Sequence, residues 1–249
     1  MPDRPGPDRP GPDRPGPDRP GPDRPGTVLV TGGSSGLGAA TVAAVAAAGG
    51  RPLVLDRVPP AADVAHVLVD LADTRAAEAA TRELADEAGG LDGVVSAAGI
   101  DRCGALEDVA GPEWDRVVAV NLLGTAAVVR AALPALLRSR GTVVTVSSTL
   151  GLRAVSDATA YCASKFGVVG FTRALAAETR GRLGVTLLIP GGMHTAFFDD
   201  RDEKYKPSAD AKLNRPQDVA AAVLLALTQP PGCEIRELVV APSQEGSWP

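Results

Sequence analysis

Tyr161 and Lys165 combine a phenol and an ammonium group at a spacing that suits proton transfer. The chain has only two tyrosines, and this one lies four residues before a lysine, in the stretch YCASK. Residues four apart on a helix lie on the same face. A free tyrosine, with a pKa of about 10, is a poor base at neutral pH, but a nearby ammonium favours the phenolate. The pair predicts a general acid–base catalyst in which Lys165 lowers the pKa of Tyr161. The alternative is a helix surface with an incidental aromatic side chain.

Two further polar residues are candidates to act with this pair. Ser148 ends the apolar run TVVTVSS, thirteen residues before Tyr161. That position is the carboxyl edge of a predicted strand, where doubly wound sheets bind their ligands. The neighbouring Ser147 lacks the thirteen-residue spacing. Asn121, one of two asparagines in the chain, is predicted to start the preceding helix. The candidate catalytic residues are therefore Ser148, Tyr161, Lys165 and Asn121.

A glycine-rich loop, TGGSSGLG at residues 31 to 38, follows the first predicted strand and leads into a helix. Gly32, Gly36 and Gly38 stand where a chain must turn tightly, approach a ligand with bare backbone and pack a helix on a strand. The amides of that helix N-terminus favour a pyrophosphate. The alternative is a glycine-rich turn without a ligand. The candidate cofactor-binding residues in this loop are Gly32, Ser34, Ser35, Gly36, Leu37 and Gly38.

Two acidic residues end the next two predicted strands. Asp56 comes 18 residues after Gly38, where an acidic residue accepts the hydroxyls of the adenosine ribose. A carboxylate there repels a 2′-phosphate and favours NAD; NADP is the alternative, because Arg57 is able to swing toward a phosphate. Asp70, followed by Leu71, is placed beside the adenine, although an ordinary helix-capping role is equally well supported.

The elements that must position these residues alternate between strand and helix. Seven short apolar runs read as strands buried on both faces: TVLVT at 27, PLVLD at 52, HVLVD at 66, DGVVSAA at 92, TVVTVSS at 142, GVTLLIP at 184 and IRELVVA at 235. Helical stretches lie between them, among them 74–88, 121–138 and 158–179. This alternation predicts an α/β fold: a single-domain, doubly wound parallel sheet of about seven strands with helices on both faces.

The first 26 residues have a different composition. Residues 2 to 26 repeat PDRPG five times, and each unit is charge-neutral and rich in proline and glycine. The repeat has no large apolar side chain to build a core and no apolar segment of a signal peptide. We expect residues 1–26 to be a disordered tail and residues 27–249 to be one catalytic domain.

Charge and composition exclude several classes of partner. The net charge is −5, with 45% hydrophobic and 22% charged residues. This balance provides no basic field for nucleic acid and no polybasic patch for a membrane surface. No apolar run approaches the roughly 20 residues of a membrane span. We therefore expect a cytoplasmic protein that binds neither nucleic acid nor membrane.

Cysteine and histidine offer no metal site. Cys103, Cys162 and Cys233 are far apart and form no CxxC pair, so we expect buried thiols in a reducing compartment. His66 and His194 have no partner at the spacing of metal ligands. No metal cofactor is expected.

Together these motifs resemble the short-chain dehydrogenase/reductase (SDR) family. The resemblance rests on the glycine pattern T-G-x-x-x-G-x-G, the Ser148–Tyr161–Lys165 spacing, Asn121 in VNLLGT and PGGMHT at 190 to 195, and it extends from Thr27 to about Ala241. It implies a Rossmann-like catalytic domain with a nicotinamide cofactor. It also implies hydride transfer between that cofactor and a small secondary alcohol or ketone.

The resemblance also implies a role for each residue. Tyr161 exchanges the proton, Ser148 positions the substrate oxygen, and Lys165 also holds the nicotinamide ribose. Asn121 anchors a water that connects Lys165 to solvent. The remaining cofactor contacts that it implies are Ala98 and Gly99 after the fourth strand, and the nicotinamide-binding turn with Pro190, Gly191 and Thr195. A mere helix cap is the alternative for Thr195.

Four features depart from the family pattern or lie outside it. Ser96 stands where the family usually has asparagine in Asn-Ala-Ala-Gly, and the chain ends in ELVVAPSQEGSWP without the glycine-rich ending of many members. Residues 196–213 are predicted to form a mobile lid. Arg153 is either a ligand for a substrate carboxylate or a solvated surface residue.

The predicted function is that of an NAD-dependent alcohol dehydrogenase or ketone reductase, assembled as a homodimer or homotetramer. One alternative is a catalytically idle dinucleotide-binding regulator, which would not require Ser148. Another is an epimerase or dehydratase, for which the short C-terminal region leaves little room for a separate substrate domain.

Overall fold

The computed structural model describes residues 24–230 and 232–246, which form one seven-stranded sheet with helices on both faces. The strands are β1 (Thr27–Thr31), β2 (Arg51–Asp56), β3 (His66–Leu68), β4 (Gly93–Ser96), β5 (Thr142–Val146), β6 (Gly184–Pro190) and β7 (Glu237–Val240). Their order is β3-β2-β1-β4-β5-β6-β7, and each neighbouring pair is parallel. The predicted doubly wound parallel sheet is confirmed. The direction in which successive strands are added to the sheet reverses between β1 and β4. Doubly wound sheets have their ligand-binding crevice at this point.

The described helices are α1 (Gly36–Ala47), α2 (Thr74–Glu87), α3 (Gly111–Val118), α4 (Thr125–Ser139), α5 (Thr159–Glu178) and α6 (Pro216–Leu227). A π-helical turn, Ala119–Gly124, joins α3 to α4 without a break. The helix predicted to start at Asn121 therefore starts ten residues earlier, at Gly111. Proline in the first turn of α3 fits a helix start, because its missing N–H has no intrahelical partner at that position.

The core lies on both faces of the sheet because successive strand residues point to opposite sides. In β1, Leu29 packs into the cluster on the face covered by α2, α4 and α5, whereas Val28 and Val30 pack into the cluster shared with α1 and α6. The side chains of Val28, Leu29 and Val30 are fully buried. Burial on both faces explains why β1, β2, β4, β5 and β6 are continuous apolar runs. The prediction of burial on both faces was wrong for β3 and β7, which are edge strands with exposed and half-buried residues.

One continuous helical run in the described residues, Gly111–Ser139, is long and apolar enough to cross a membrane by length and composition. The expectation that no apolar run approaches that length was wrong for this segment. Half of its most apolar window is buried inside the protein, where α4 packs against α2 and the sheet. A core helix passes the same test, and burial in the core accounts for its composition.

The N-terminal boundary of the domain lies close to the predicted one. Gly26 accepts a hydrogen bond from the backbone N of Arg51 at 2.8 Å, and Pro25 packs against Gly50. The last two residues of the predicted tail thus contact the start of β2. The rest of the predicted tail, residues 1–23, lies outside the described residues.

Candidate active site

A cleft of about 650 Å³ runs along the carboxyl edge of the sheet. It brings together residues from the ends of β1, β2, β4, β5 and β6, as expected for an open α/β sheet. The predicted site residues that line it are Gly32, Ser35, Gly36, Leu37, Gly38, Asp56, Asp70, Leu71, Ala98, Gly99, Ser148, Tyr161, Lys165, Pro190, Gly191 and Thr195. Two predicted residues, Ser34 and Asn121, are not part of its lining.

The glycine loop is packed so tightly that side chains are excluded. Gly32 has a φ of +71°, and a Cβ there would lie 2.8 Å from the Cα of Ala98. A Cβ on Gly38 would overlap the carbonyl of Gly32. Ser35 precedes α1 and makes no side-chain capping bond. The amides of the first turn of α1 are therefore left for a ligand, and a phosphate suits them.

The carboxylate of Asp56 is held at the end of β2 by backbone donors. Its Oδ2 accepts from the N of Ser34 at 3.0 Å, and its Oδ1 accepts from the N of Arg57 at 2.6 Å. Ser34 also donates from its hydroxyl to the carbonyl of Val58 at 2.7 Å. Ser34 thus helps to orient Asp56, and its predicted contact with the cofactor stays a prediction.

Asp70 pairs with an arginine that sequence analysis did not identify. Arg116 of α3 donates to its Oδ2 at 2.6 Å, and the N of Ala72 donates to Oδ1 at 3.0 Å. Partial burial acts to raise the pKa of Asp70, but the bonds from Arg116 and Ala72 outweigh it and hold that pKa below its usual value. The cap of α2 is Asp73, so the capping alternative for Asp70 does not apply to that helix. Arg116 and Asp70 both line the end of the cleft next to Asp56.

Tyr161 and Ser148 meet at the opposite half of the cleft. Tyr161 lies in the first turn of α5 and lines the cleft together with Ser148, whose side chain acts to lower the pKa of the Tyr161 phenol. Ser148 follows β5, and its Oγ accepts from the N of Leu150 at 3.1 Å. Ser147 points elsewhere, because its hydroxyl donates to the backbone carbonyl of Lys165 at 2.9 Å. The two adjacent serines therefore have different roles.

Lys165 is buried behind Tyr161. Its Nζ lies 5.6 Å from the centroid of the Tyr161 ring and donates to the carbonyl of Val146 at 2.9 Å. A Cβ on Gly99 would lie 3.5 Å from this Nζ and 3.6 Å from Oδ1 of Asn121. The loop after β4 therefore passes close to both polar groups at Gly99.

Burial governs the protonation of both groups. Burial raises the pKa of Tyr161 to about 12, although the hydrogen bond from Ser148 acts in the opposite direction. Burial lowers the pKa of Lys165 to about 8, opposed by the charge of Asp101. In the protein without a ligand burial thus acts against the expected lowering of the Tyr161 pKa by Lys165, and that lowering stays a prediction for the complex with cofactor.

Asn121 lies inside the π-helical turn, and its side chain makes three hydrogen bonds to protein groups. Its Nδ2 donates to the carbonyl of Ile100 at 2.8 Å and to the hydroxyl of Ser164 at 3.0 Å. Its Oδ1 accepts from the N of Ile100 at 2.8 Å. The side chain thus fixes the loop after β4 against α5. Such turns occur often at functional sites, and this one was not recognisable from the sequence.

Ser96, which departs from the family pattern, lies at the end of β4 away from the cleft. Its hydroxyl is 2.8 Å from that of Thr125, which donates to the backbone carbonyl of Asn121 at 2.8 Å. Ser96 therefore joins β4 to the π-helical turn and makes no contact with the cleft.

The turn after β6 forms the wall opposite the glycine loop. The N of Gly191 donates to the carbonyl of Val240 at 3.0 Å. Thr195 caps the 3₁₀ turn Ala196–Phe198 by accepting from the N of Phe197 at 3.3 Å. Its methyl group also lies 3.3 Å from the position of a Cβ on Gly36. Thr195 thus acts as a cap and as a cleft residue, so the two interpretations are compatible.

The predicted lid, residues 196–213, is joined to the loop after β4 by a buried ion pair. Arg201 donates to Oδ2 of Asp101 at 2.6 Å, and their side chains are 18% and 5% exposed. The Arg201 guanidinium lies over the rings of Phe197 and Phe198, at 5.1 and 4.7 Å from their centroids. Phe197 in turn lies 5.7 Å from the ring of Tyr161. We call this Asp101–Arg201 pair the lid latch; its two members are a hundred residues apart, and sequence analysis did not identify them.

A second cavity of about 390 Å³ lies between the lid and the loop after β4. The residues that it shares with the main cleft are Gly99, Ile100, Ala196, Phe197, Asp200 and Arg201. Its other charged and phenolic lining residues are Asp101, Arg102, Asp108, Asp202, Lys204 and Tyr205. The cavity is therefore rich in hydrogen-bonding groups close to Tyr161.

The structure also bears on the predictions for Arg153, for the cysteines and for a metal site. Arg153 is exposed and donates to the carbonyl of Gly246 at 3.4 Å, and it does not line the main cleft. Cys233 is exposed, contrary to the expectation of buried thiols, whereas Cys162 is buried. Burial raises the pKa of the Cys103 thiol to about 11. Among the described residues no group of three or more histidine, cysteine or acidic side chains is arranged to hold a metal.

Comparison with known proteins agrees with this arrangement. The family model described as short chain dehydrogenase matches residues 26–206. D-threitol dehydrogenase of Mycolicibacterium smegmatis is 32% identical over 216 residues, which cover 79% of this chain and 83% of that protein. The ligand-free aldohexose dehydrogenase of Thermoplasma acidophilum has a TM-score of 0.79 at 26% identity, covering 88% of this chain and 93% of that one. An alcohol dehydrogenase from Thermococcus sibiricus, solved with 5-hydroxy-NADP, has the same fold, with a TM-score of 0.78 at 23% identity over 86% of this chain and 95% of that one.

Proposed function

Because the chain belongs to the short chain dehydrogenase family and is an oxidoreductase of nicotinamide-dependent type, we propose that it transfers a hydride between NAD and a secondary alcohol or ketone. The observation that carries this proposal is that Tyr161 and Ser148 line the same cleft as the glycine loop and Asp56. A group able to exchange a proton with a substrate oxygen thus lies next to a site shaped for a dinucleotide.

The residues of the cleft fit a nicotinamide dinucleotide. In our proposal the glycine loop holds the pyrophosphate, Asp56 accepts the hydroxyls of the adenosine ribose, and Pro190, Gly191 and Thr195 hold the nicotinamide. The tight contacts of Gly32 and Gly38 support this assignment, since they bring bare backbone to the cleft at the N-terminus of α1. The bound nicotinamide would accept or donate the hydride.

Tyr161 supplies or removes the proton of the substrate oxygen. With a pKa of about 12 the phenol is protonated at neutral pH, which is the form that donates to a carbonyl oxygen during reduction. Ser148 orients that oxygen by hydrogen bonding, so the proton has a short path. In the reverse direction the phenol must lose its proton, and the partly charged Lys165 behind it favours that step.

We propose small polyhydroxylated alcohols as the substrate class. The second cavity supports this, because its charged and phenolic side chains match several hydroxyl groups better than an apolar chain. Two of the similar proteins are a D-threitol and an aldohexose dehydrogenase, whose names point to substrates of this chemistry.

We further propose that residues 27–249 act as one catalytic domain that assembles into a homodimer or homotetramer in the cytoplasm. Leu123 and Phe166, on adjacent helical segments, are 51% and 44% exposed and favour a contact between copies. Light scattering of the purified protein tests the assembly.

The deciding experiment is a screen of secondary alcohols, polyols and ketones, in which nicotinamide absorbance is followed with NAD and with NADP. We expect turnover with at least one polyol. A protein that binds a nicotinamide cofactor tightly and turns over none of these compounds would favour the idle regulator instead.

Cofactor choice depends on Asp56. We expect Asp56→Ala to lower the ratio of kcat/KM for NAD to that for NADP by about tenfold or more, because the variant no longer repels a 2′-phosphate. Steady-state kinetics with both cofactors measures the ratio. Asp63→Ala is the matched control, since Asp63 is an exposed acid outside the cleft lining. If the wild type already prefers NADP, the charge argument fails and Arg57 becomes the candidate ligand for the phosphate.

A further inference from the structure

The segment after β7 returns to the main cleft and places a carboxylate in its wall. Glu245 belongs to the ending that sequence analysis set outside the family resemblance. Its Oε2 accepts from the N of Gly192 at 2.9 Å and leaves no room for a Cβ on Gly191. Its backbone N donates to the carbonyl of Pro242 at 2.9 Å, and Arg153 contacts the carbonyl of Gly246. Glu245 is therefore held within the turn after β6.

This turn lies at the half of the cleft that remains for the nicotinamide. In the proposed function, the glycine loop and Asp56 bind the pyrophosphate and adenosine half. In the same proposal Tyr161 acts on the substrate oxygen next to the nicotinamide, which Gly191 and Thr195 hold. Glu245 lines the cleft and its carboxylate contacts Gly191 and Gly192 of that turn. The inference that follows rests on that proposed function.

The charges around this half of the cleft interact differently with the oxidised and the reduced form of the cofactor. A nicotinamide ring carries a positive charge when oxidised and none when reduced. The ammonium of Lys165 lines the same half of the cleft and disfavours a cation. The guanidinium of Arg201 is already paired with Asp101 in the lid latch. A carboxylate at the turn that holds the nicotinamide offsets the Lys165 charge and attracts the oxidised ring.

We propose that Glu245 sets the preference of this protein for the oxidised over the reduced nicotinamide cofactor. Its hydrogen bond to Gly192 fixes the carboxylate, so that its charge acts at a constant position. The bond itself is the same whichever form is bound. Only the charge distinguishes the two forms, and this separates the proposal from a purely structural role.

The test compares dissociation constants of the two redox forms by fluorescence titration, using the NAD or the NADP pair, whichever the wild type binds more tightly. Glu245→Gln keeps an acceptor for Gly192 but removes the charge. We expect it to weaken binding of the oxidised form about tenfold and to change binding of the reduced form less than about twofold. Glu245→Asp keeps the charge and is expected to retain most of the preference.

Glu83→Gln is the matched control, because Glu83 is exposed on α2 and its replacement changes the net charge equally. It should leave both dissociation constants unchanged, and melting temperatures show whether each variant is folded. Equal weakening of both forms in Glu245→Gln would show that Glu245 acts only through its hydrogen bond. Tighter binding of both forms would show that the Glu245 side chain obstructs binding of the nicotinamide at the turn after β6. Either result overturns the inference while leaving the proposed function intact. A wild type that binds neither cofactor pair overturns both.

Discussion

Tyr161 and Lys165 lie in the same buried environment, and burial moves both toward their neutral forms. The pKa of the phenol rises to about 12 and that of the ammonium falls to about 8. The attraction between the two groups, on which the sequence-based expectation rests, acts in the opposite direction on Tyr161. The protein without a ligand therefore holds Tyr161 in its protonated form, and we expect this phenol to be able to donate a proton during reduction of a carbonyl.

We expect Tyr161→Phe to lower kcat by about 10²- to 10⁴-fold, the range typical of a general acid–base group. The change removes one oxygen from a buried ring, so cofactor affinity should remain within about threefold of the wild type. Steady-state kinetics and cofactor titration measure the two quantities. Tyr205→Phe removes the same atom from the other tyrosine, which lies in the lid, and should change kcat only a few-fold. Near-normal turnover in Tyr161→Phe would contradict the proposed mechanism.

At the scale of elements, the glycine loop sets how closely α1 approaches β1. A Cβ on Gly38 would overlap the carbonyl of Gly32, whereas a Cβ on Gly170, exposed on α5, would meet nothing within 4 Å. We expect Gly38→Ala to destabilise the protein by more than about 3 kcal/mol, because backbone has to move. Gly170→Ala should be neutral or stabilising by up to about 1 kcal/mol. Urea denaturation measures both changes, and equal stabilities of the two variants would contradict this account of the loop.

The lid latch is the second feature at the scale of elements, because it joins the lid to the loop after β4. We expect Arg201→Ala to leave the buried carboxylate of Asp101 without its charged partner and to loosen residues 196–213. Hydrogen exchange of the lid amides should become at least about tenfold faster, and KM for the substrate should rise. Arg215→Ala is the matched control: its ion pair with Asp218 is 73% and 50% exposed, so the variant should exchange like the wild type. Unchanged lid exchange in Arg201→Ala would show that the latch does not hold the lid.

At the scale of the whole molecule, the sheet and both helical layers are built from residues that follow the PDRPG repeat. We expect deletion of residues 2–23 to leave the melting temperature within about 1 °C and kcat unchanged, because the repeat offers no apolar side chain to bury. Pro25 and Gly26 are retained, since they contact Gly50 and Arg51. Differential scanning fluorimetry and kinetics of the full and shortened chains provide the measurement. A fall of several degrees would show that the repeat stabilises the domain.

The features that the sequence alone determined are local ones. Short apolar runs predicted the seven strands, because strands buried on both faces need apolar side chains at every position. The glycine loop, Asp56 and the Tyr161–Lys165 spacing were recognisable, because each depends on the conformation of a few consecutive residues. Together with the parallel sheet, they were sufficient to predict which edge carries the cleft.

The features that only the tertiary structure decided are pairings between distant segments. Asp70 meets Arg116, Asp101 meets Arg201, and Glu245 reaches Gly192. The partners in these pairs are 46 to 100 residues apart, so no local pattern links them. The pKa values of Tyr161 and Lys165 belong to the same class, because they depend on how completely the assembled fold excludes water from both side chains. Burial and long-range contact arise only when the sheet, the helices and the C-terminal segment pack together, and they set the charges with which this site works.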